Sequence, residues 1–492
     1  MNSRPPPRPG KKPILLNAFT MNAASHVAYG LWRHPEDQHY RHAELDYWQT
    51  LGRLLDGSGF DNLFIADALG LLDTYGGNAA ASLERGVQSP LTDPLLVASG
   101  IAAVTEQLGI TITVSTTYEH PWLLARKFTT LDHATNGRIG WNVVTSQLES
   151  AARNLGLGTQ LDHDLRYERA EEFLEVAYKL WLASWEDGAV VRDKGSPAHP
   201  DGLYTDPTRV HAINHEGRFF RVPGPYISEP SPQRVPVLMQ AGGSPRGVAF
   251  AARHAEVIFV VGANDDALRR NIARTKALAT AEGRAPDAIQ FVTSVAVVTG
   301  ATDEQAQQKL GQYREYFDFQ GAVVHYAAST NIDFSSYGPE IPIRQLDTQS
   351  GRGLLNLFTP EESGREWTLR DALAPADGLG RSRLFVGSGK TVALALDQWL
   401  DDTGLDGINL LHLVSPGSYT DFIEHVIPEL RRLGRIRPDT GSGTLRSRLA
   451  SASHPPTPRV DGAARNNDLP ATHHPSHRLA TASNRPASLA KD

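Results

Sequence analysis

Cysteine is absent from all 492 residues, which removes disulfides, thiolate metal ligands and a cysteine nucleophile together. Also missing is any apolar run near the ~18 residues a membrane span requires, and any N-terminal basic segment followed by about 7 to 15 apolar residues. A soluble, cytoplasmic protein is expected, with no membrane partner. No GxGxxG occurs, so there is no nicotinamide-binding fingerprint. The stretch VGSGKT (386–391) imitates a phosphate loop, but the first glycine that motif demands is replaced by Leu384. Without His-x-His or His-Glu-x-x-His, the common metal sites have no starting point.

Charge is scarce in one sign only. The net value of −7 hides two basic ends, since Arg4, Arg8, Lys11 and Lys12 crowd the N-terminus and seven Lys/Arg oppose three Asp/Glu in the last 52 residues. The middle is therefore more acidic than the whole, which argues against a nucleic-acid groove. Residues 1–12 (MNSRPPPRPGKK) read as a disordered, basic, Pro-rich leader. From about 440 the composition turns to Ser, Ala, Pro, His and Arg with almost no aromatic residue, so 450–492 reads as a disordered tail. That leaves 13–449 as the folded domain.

Within it, short apolar or β-branched runs alternate with longer segments of helical period, the pattern of a parallel sheet with crossover helices. Eight runs qualify as strands: 13–19, 62–67, 110–117, 139–146, 236–242, 256–262, 289–298 and 407–414. They are apolar almost throughout, as strands covered on both faces must be. An α/β fold of the (β/α)8 TIM-barrel type is expected, with insertions in the βα loops near the active-site end at about 186–235 and 318–383.

Barrel enzymes place chemistry where strands end, so the end of each run is where to look. Strand two ends in Asp67, strand three in Ser115, Thr116 and Thr117, and strand four in Asn142, Thr145 and Ser146. Strand five runs into QAGGSPRG (240–247), where Gly242 and Gly243 admit a close ligand and Ser244 opens a helix whose free N–H groups attract an anion, with Arg246 able to add charge. A tight βα turn explains the same glycines equally well. His163 and Tyr167 stand four residues apart and face one way on a helix; a capping histidine and a packed tyrosine are the plain alternative. His26 lies in the loop after strand one, where a lone histidine is more often structural than catalytic. A glycosidase would need paired carboxylates, and Glu149 and Glu304, just beyond strands four and seven, lack a flanking aromatic sugar platform.

Taken together these segments resemble the luciferase-like flavin monooxygenases, in the branch of nitrilotriacetate and EDTA monooxygenases, dibenzothiophene-sulfone monooxygenase and dimethyl-sulfide monooxygenase. The likeness runs from about 13 to 449. It is carried by GLWRHPEDQ (30–38), GFDNLFIAD (59–67), ARKFTTLDHATNGRIGWNVVTS (125–146), ARNLG (152–156), LDHDLRYERAEEFLEV (161–176), EPSPQRVPVLMQAGGSPRG (229–247) and DGINL (406–410). The resemblance implies FMN, taken up reduced as FMNH2, with O2 as co-substrate and a flavin hydroperoxide as oxidant. By the same resemblance, Asp67, Ser115, Asn142, Thr145 and Ser146 would line the ring and ribityl side, while His163, Tyr167, Gly243 and Ser244 would hold the ribityl chain and phosphate. His26 would act above the flavin, in proton supply or substrate orientation, and the 318–383 insertion would close over the site. A second histidine seen in the desulfurising relatives falls at Ser329 here. A separate NAD(P)H:FMN reductase is implied as partner, a small organosulfur or aminopolycarboxylate molecule as substrate, and a homo-oligomer, dimer or tetramer, as the assembly. A deazaflavin-dependent oxidoreductase would share the same barrel.

Overall fold

The structure is a computed structural model and describes residues 11–285, 287–345, 366–373, 382–437 and 443–449. Its centre is a closed ring of eight parallel strands: β1 Leu15–Met21, β2 Asn62–Ala66, β3 Gly109–Ser115, β4 Ile139–Val144, β5 Val237–Gln240, β6 Val257–Phe259, β7 Gln290–Gly300 and β8 Gly407–Leu411. β1 pairs with β2 and β8, the others pair in sequence order, and the β6–β7 and β7–β8 pairings close the ring. The expected TIM barrel is therefore present, and each of the eight expected strands forms one of its staves.

Alternation within the strands explains why the ring closes. Outward residues such as Leu16, Leu63, Ile110, Ile112, Trp141, Leu238 and Ile258 pack against the surrounding helices. Inward residues Leu15, Phe19, Phe64, Val237, Met239, Val257, Val292 and Leu411 make a second, internal cluster. Each such side chain contributes about 1.5–3 kcal/mol on burial, so a one-residue slip of any strand would exchange the two layers. The interior also holds a polar belt: Asn409, Asn17 and Asn62 lie side by side in register across β8, β1 and β2. Asn17 Nδ2 donates to Asn409 Oδ1 at 2.7 Å, and Thr111 Oγ1 donates to Asn62 Oδ1 at 3.1 Å.

The floor of the barrel is closed by the short helix Leu445–Leu449, whose two leucines are buried in the internal cluster. Leu445 N donates to Gly137 O at 2.7 Å, and Gln290 Nε2 donates to Leu449 O at 2.6 Å. Arg446 holds both oxygens of buried Glu256, at 2.8 and 2.9 Å. The change of composition near 440 thus precedes the end of the fold, because one apolar pair is enough to fill the barrel floor. At the other terminus Lys11 reaches Asp397 at 2.6 Å and Lys12 reaches Asp406 at 2.7 Å, so these two residues of the expected leader are anchored. Residues 1–10 and 450–492 lie outside the described residues. Truncation after Leu449 keeps every contact just named, and we expect an unchanged melting temperature; a drop of several degrees would show that the tail packs on the barrel.

Two features differ from the sequence reading. The insertion at 186–235 follows the helix His163–Tyr178 and precedes β5, so it begins and ends at the N-terminal face of the barrel, opposite the strand ends. Its last residues confirm this: Gln233 Nε2 donates to Ile139 O, at the start of β4, at 2.9 Å. Its small hairpin of His215–Glu216 and Arg221–Val222 lies against helix His163–Tyr178, where Glu172 accepts from the Phe219 and Phe220 N–H groups. The second feature is an additional parallel strand, Arg383–Ser388, on the upper half of β7.

The insertion at 318–383 does sit at the strand-end face, as far as it is described. Its helix Phe319–Thr330 shares a core with Tyr29, Leu72 and Val87 from the loops after β1 and β2. Arg85 binds Asp318 at 2.8 Å, Tyr29 OH meets His325 Nδ1 at 2.6 Å, and Gly76 N–H donates to Asp333 at 2.9 Å. Residues 346–365 and 374–381, which belong to the expected closing segment, lie outside the described residues. Among the described residues no helix is long and apolar enough to cross a membrane, and no group of three His, Asp or Glu is placed to hold a metal ion.

Candidate active site

The strand ends converge on one mouth. At β5 the chain leaves through Gln240, Ala241, Gly242 and Gly243 and enters the helix Pro245–His254, with Ser244 as its N-cap. Ser244 Oγ accepts from Gly247 N–H at 3.0 Å, and Pro245 at the first helical position has no N–H to satisfy. A Cβ at Gly243 would meet only Val261, at 3.9 Å, so its backbone faces open space. A Cβ at Gly247 would lie 2.5 Å from the Tyr167 hydroxyl; glycine is required there because the phenol crosses the helix start.

Tyr167 arrives from the first turn of helix His163–Tyr178, whose N-cap Asp162 accepts from Asp164 N–H at 2.9 Å. Its hydroxyl sits among Ser244, Thr145 and Gln240, and burial raises its pKa against the pull of those hydrogen bonds. The His163 ring is 5.2 Å from that of Tyr167 and remains partly exposed, with Nδ1 2.8 Å from Asp164. The Tyr167 and Ser244 hydroxyls therefore meet at one helix N-terminus, that of Pro245–His254. The oriented N–H groups of that helix start, together with the two hydroxyls, make an anion cradle.

The neighbouring strand ends supply a neutral polar wall. Ser146 takes left-handed backbone (φ 55°) at the end of β4, which turns its Oγ back to donate to Ser115 Oγ at 2.9 Å. Thr117 Oγ1 donates to Thr145 O at 2.6 Å, stitching the loops after β3 and β4 together. Asn142 Nδ2 donates to Thr113 Oγ1 at 2.9 Å, but Asn142 Oδ1 is buried without a partner, as is Gln240 Oε1. Buried acceptors left unsatisfied are costly, and here they point to a missing planar donor. Asp67, half-buried beyond β2, is pushed up to about 7 by burial and by the nearby charge of Asp93. It is therefore available as donor or acceptor around neutral pH.

His26 lies apart from the cradle, in the loop after β1. Its ring stands edge-on to Phe19 with centroids 4.6 Å apart, its Nδ1 has no partner, and burial with the neighbouring His39 lowers it to about 3. It is neutral at any physiological pH. Behind it sits a set of buried groups that the sequence reading did not single out. The His39 and His412 rings are 4.5 Å apart, His39 Nδ1 meets Tyr47 OH at 2.9 Å, and Tyr47 OH meets Ser415 Oγ at 2.7 Å. Asp37, raised to about 6 by burial, accepts from Ser415 N–H and His39 N–H, both at 2.9 Å. Ser329 lies on helix Phe319–Thr330, where its Oγ donates to His325 O at 2.9 Å.

The structure thus joins Tyr167 with Ser244 and Thr145, and Ser146 with Ser115, while Asn142 bonds to Thr113 on the neighbouring strand; Gly243 lies beside Ser244 and His163 at the rim. Asp67 and His26 occupy the mouth next to β2 and β1. Gln240 and Gly247 were missed as separate elements; the QAGGSPRG string contained both, but only the fold shows that one faces the phenol and the other makes room for it.

Comparison with known proteins identifies the family of the chain. The chain is 44% identical over 439 residues to dimethyl-sulfide monooxygenase of Hyphomicrobium sulfonivorans, covering 89% of this chain and 90% of that one. It is 42% identical to long-chain alkane monooxygenase of Geobacillus thermodenitrificans, covering 89% and 94%. A crystal structure of a riboflavin lyase with modified FMN and riboflavin superposes with a TM-score of 0.81 at 37% identity, over 89% of this chain and 96% of that one. The model for luciferase-like monooxygenases matches residues 27–407, and the chain belongs to that family.

Proposed function

We propose that the protein is the oxygenase component of a two-component system: it takes reduced FMN from a separate NAD(P)H:FMN reductase and uses O2 to oxidise a small organic molecule. An organosulfur compound is the favoured substrate class, with aminopolycarboxylates as the wider range. The observation that carries this reading is the anion cradle of Ser244, Tyr167 and the Gly243 backbone, set beside unpartnered acceptors on Asn142 and Gln240. Together they fit a molecule with a phosphate at one end and a flat, donor-bearing ring at the other.

Each group then has a task. Ser244, Tyr167, His163 and the Gly243 backbone bind the phosphate and ribityl chain, while Asn142, Ser115, Thr145, Ser146 and Asp67 orient the ring through neutral or titratable contacts. A wall without fixed charge suits a ring whose own charge changes as it turns over. When bound, reduced FMN supplies the electrons that divide O2 between product and water. Helix Phe319–Thr330 and the loops after β1 and β2 exclude solvent above the mouth. His26, neutral and with its Nδ1 unclaimed by any hydrogen bond, can orient a substrate above the mouth by hydrogen bonding without first breaking a contact.

The test is to mix the protein with NADH, FMN and O2, with and without an unrelated FMN reductase, and to follow nicotinamide absorbance together with loss of small thioethers and sulfones. No NADH should be consumed by the protein alone, because no dinucleotide fingerprint exists in the chain. Substrate loss should appear with any reductase. Turnover of NADH without one would overturn the two-component reading.

A further inference from the structure

The mouth of the barrel has two unlike halves. From β3 to β5 the strand ends carry Ser115, Asn142, Thr145, Ser146 and Gln240. Where β6, β8, β1 and β2 approach the mouth, the inward side chains are Phe259, Leu411, Phe19 and Phe64 instead, with Ala66 and Val27 packed beside them. Phe19 and Phe64 are buried, whereas Phe259, Ala66 and Val27 keep part of their surface accessible. Because Leu445 and Leu449 seal the barrel floor within the same cluster, the accessible part of an inward-facing ring opens upward, into the mouth.

The rings are arranged around Phe19. Its register partners are Phe64 on β2 and Leu411 on β8. The Phe64 centroid is 4.9 Å away, and Phe259 reaches across from β6 to meet Phe19 at 5.6 Å with the planes at 89°. Phe259 ends its strand and is the one ring of these three that is still part-exposed. None of the inward residues just named is Lys or Arg. His26, edge-on to Phe19, is neutral, and Asp67, next after Ala66, can carry only negative charge. A carboxylate brought into this half would leave water without a counter-ion, which is costly, whereas an apolar chain exchanges water for ring faces and edges. A thioether sulfur suits such a wall, because it makes favourable contacts with ring edges about 5 Å away.

We propose that Phe259, seated on Phe19, is a specificity-determining residue: it forms the wall against which a small uncharged thioether lies and limits the chain length that fits, while carboxylated molecules are refused. This rests on the flavin reading above, which assigns the polar half of the mouth to FMN and leaves the aromatic half to the substrate. It narrows the substrate range given there to its uncharged members. The limit on length follows from the place of the ring, since Phe259 spans from β6 to Phe19 and so occupies the depth a longer alkyl chain would need.

The experiment uses the full chain as wild type, Phe259→Ala and Phe259→Leu, with dimethyl sulfide, dibutyl sulfide and nitrilotriacetate as probes. Binding of each is measured by calorimetry with oxidised FMN present, and oxidation of each with NADH, FMN and an unrelated FMN reductase. Wild type should bind and oxidise dimethyl sulfide in preference to dibutyl sulfide and leave nitrilotriacetate untouched. Phe259→Ala should reverse the order of the two sulfides, gaining tenfold or more in affinity for the dibutyl compound, since each methylene that finds an apolar seat contributes about fourfold. Phe259→Leu keeps the wall apolar and disturbs packing less; it should lie between, and it decides the test if Phe259→Ala fails to fold. FMN affinity, read by flavin fluorescence, should be the same in all three proteins. An unchanged ratio of KM values for the two sulfides in the variants would overturn the proposal, as would oxidation of nitrilotriacetate by the wild type, or a wild type that binds FMN but neither sulfide. Loss of FMN affinity in the variants would place the ring under the flavin and overturn it too. Wild-type protein that binds no FMN would instead remove the flavin reading on which the proposal stands.

Discussion

Ser244→Asp is expected to weaken FMN binding by tenfold to a hundredfold and to leave the fold intact. The structure separates the two effects. Ser244 caps the helix Pro245–His254 through its Oγ and Gly247 N–H, and aspartate is as good an N-cap as serine. The helix start and the Gly247 turn should therefore survive. What changes is charge, because a carboxylate would then face a phosphate at a helix N-terminus and the hydroxyl donor would be gone. A hydrogen bond to a charged group contributes about 1.5–3 kcal/mol, which is one to two powers of ten in affinity at about 1.4 kcal/mol each. Ser244→Ala is a poorer probe, since losing the cap costs about 1 kcal/mol of stability by itself. Equilibrium titration with FMN, with the melting temperature of the apoprotein as control, decides the matter. An unchanged dissociation constant would place the phosphate elsewhere.

The barrel was legible because its strands carry the mark of burial on both faces. ITITVSTT and IGWNVVTS are apolar or β-branched at successive positions, and each pairs into the ring with helices outside and packed side chains within. Arg383–Ser388 escaped because RLFVGS is short and runs at once into the helix Gly389–Thr403, so its glycine and serine read as punctuation. The misplacement of 186–235 was avoidable. Chain order alone, strand then helix then insertion then strand, puts such a segment at the N-terminal face, whatever its length.

The candidate site was legible where strand ends coincide with polar residues, as at Asn142, Thr145, Ser146 and Ser244. It was opaque where chemistry depends on residues far apart in sequence. His39 and His412 stack at 4.5 Å across a separation no spacing rule spans, and Asn17, Asn62 and Asn409 look like faults in apolar strands until the register aligns them.

The buried imidazoles make a prediction of comparable size about acid stability. His26 and His412 are each lowered to about 3 by burial, with nearby imidazoles adding, and His39 falls well below its ordinary value for the same reasons. Each therefore stays neutral in the native state and takes a proton on unfolding once the pH is below its ordinary value of 6.5. Stability from these groups is present above that value and lost as the pH falls toward 3, at about 1.4 kcal/mol per pH unit for each proton. Asp37 and Asp67 act in the opposite sense. Raised to about 6 and about 7 from an ordinary 3.8, they hold protons in the native state that the unfolded chain releases, so their contribution is present at low pH and lost as the pH rises through those values. Near pH 5.5 these three imidazoles oppose these two carboxyls, leaving about one proton taken up on unfolding; His42 and His120, also lowered by burial, add in the same direction, and Asp132, raised by burial, subtracts. Unfolding free energy should then drop by about 1.4 kcal/mol for each pH unit between 6 and 5. In His26→Asn the slope should shrink by one proton's worth, so that denaturant curves recorded at pH 7, 6 and 5 lie closer together than those of the parent. Parallel pH profiles in the two proteins would mean that His26 titrates freely in the native state, and its placement behind the Phe19 ring would have to be abandoned.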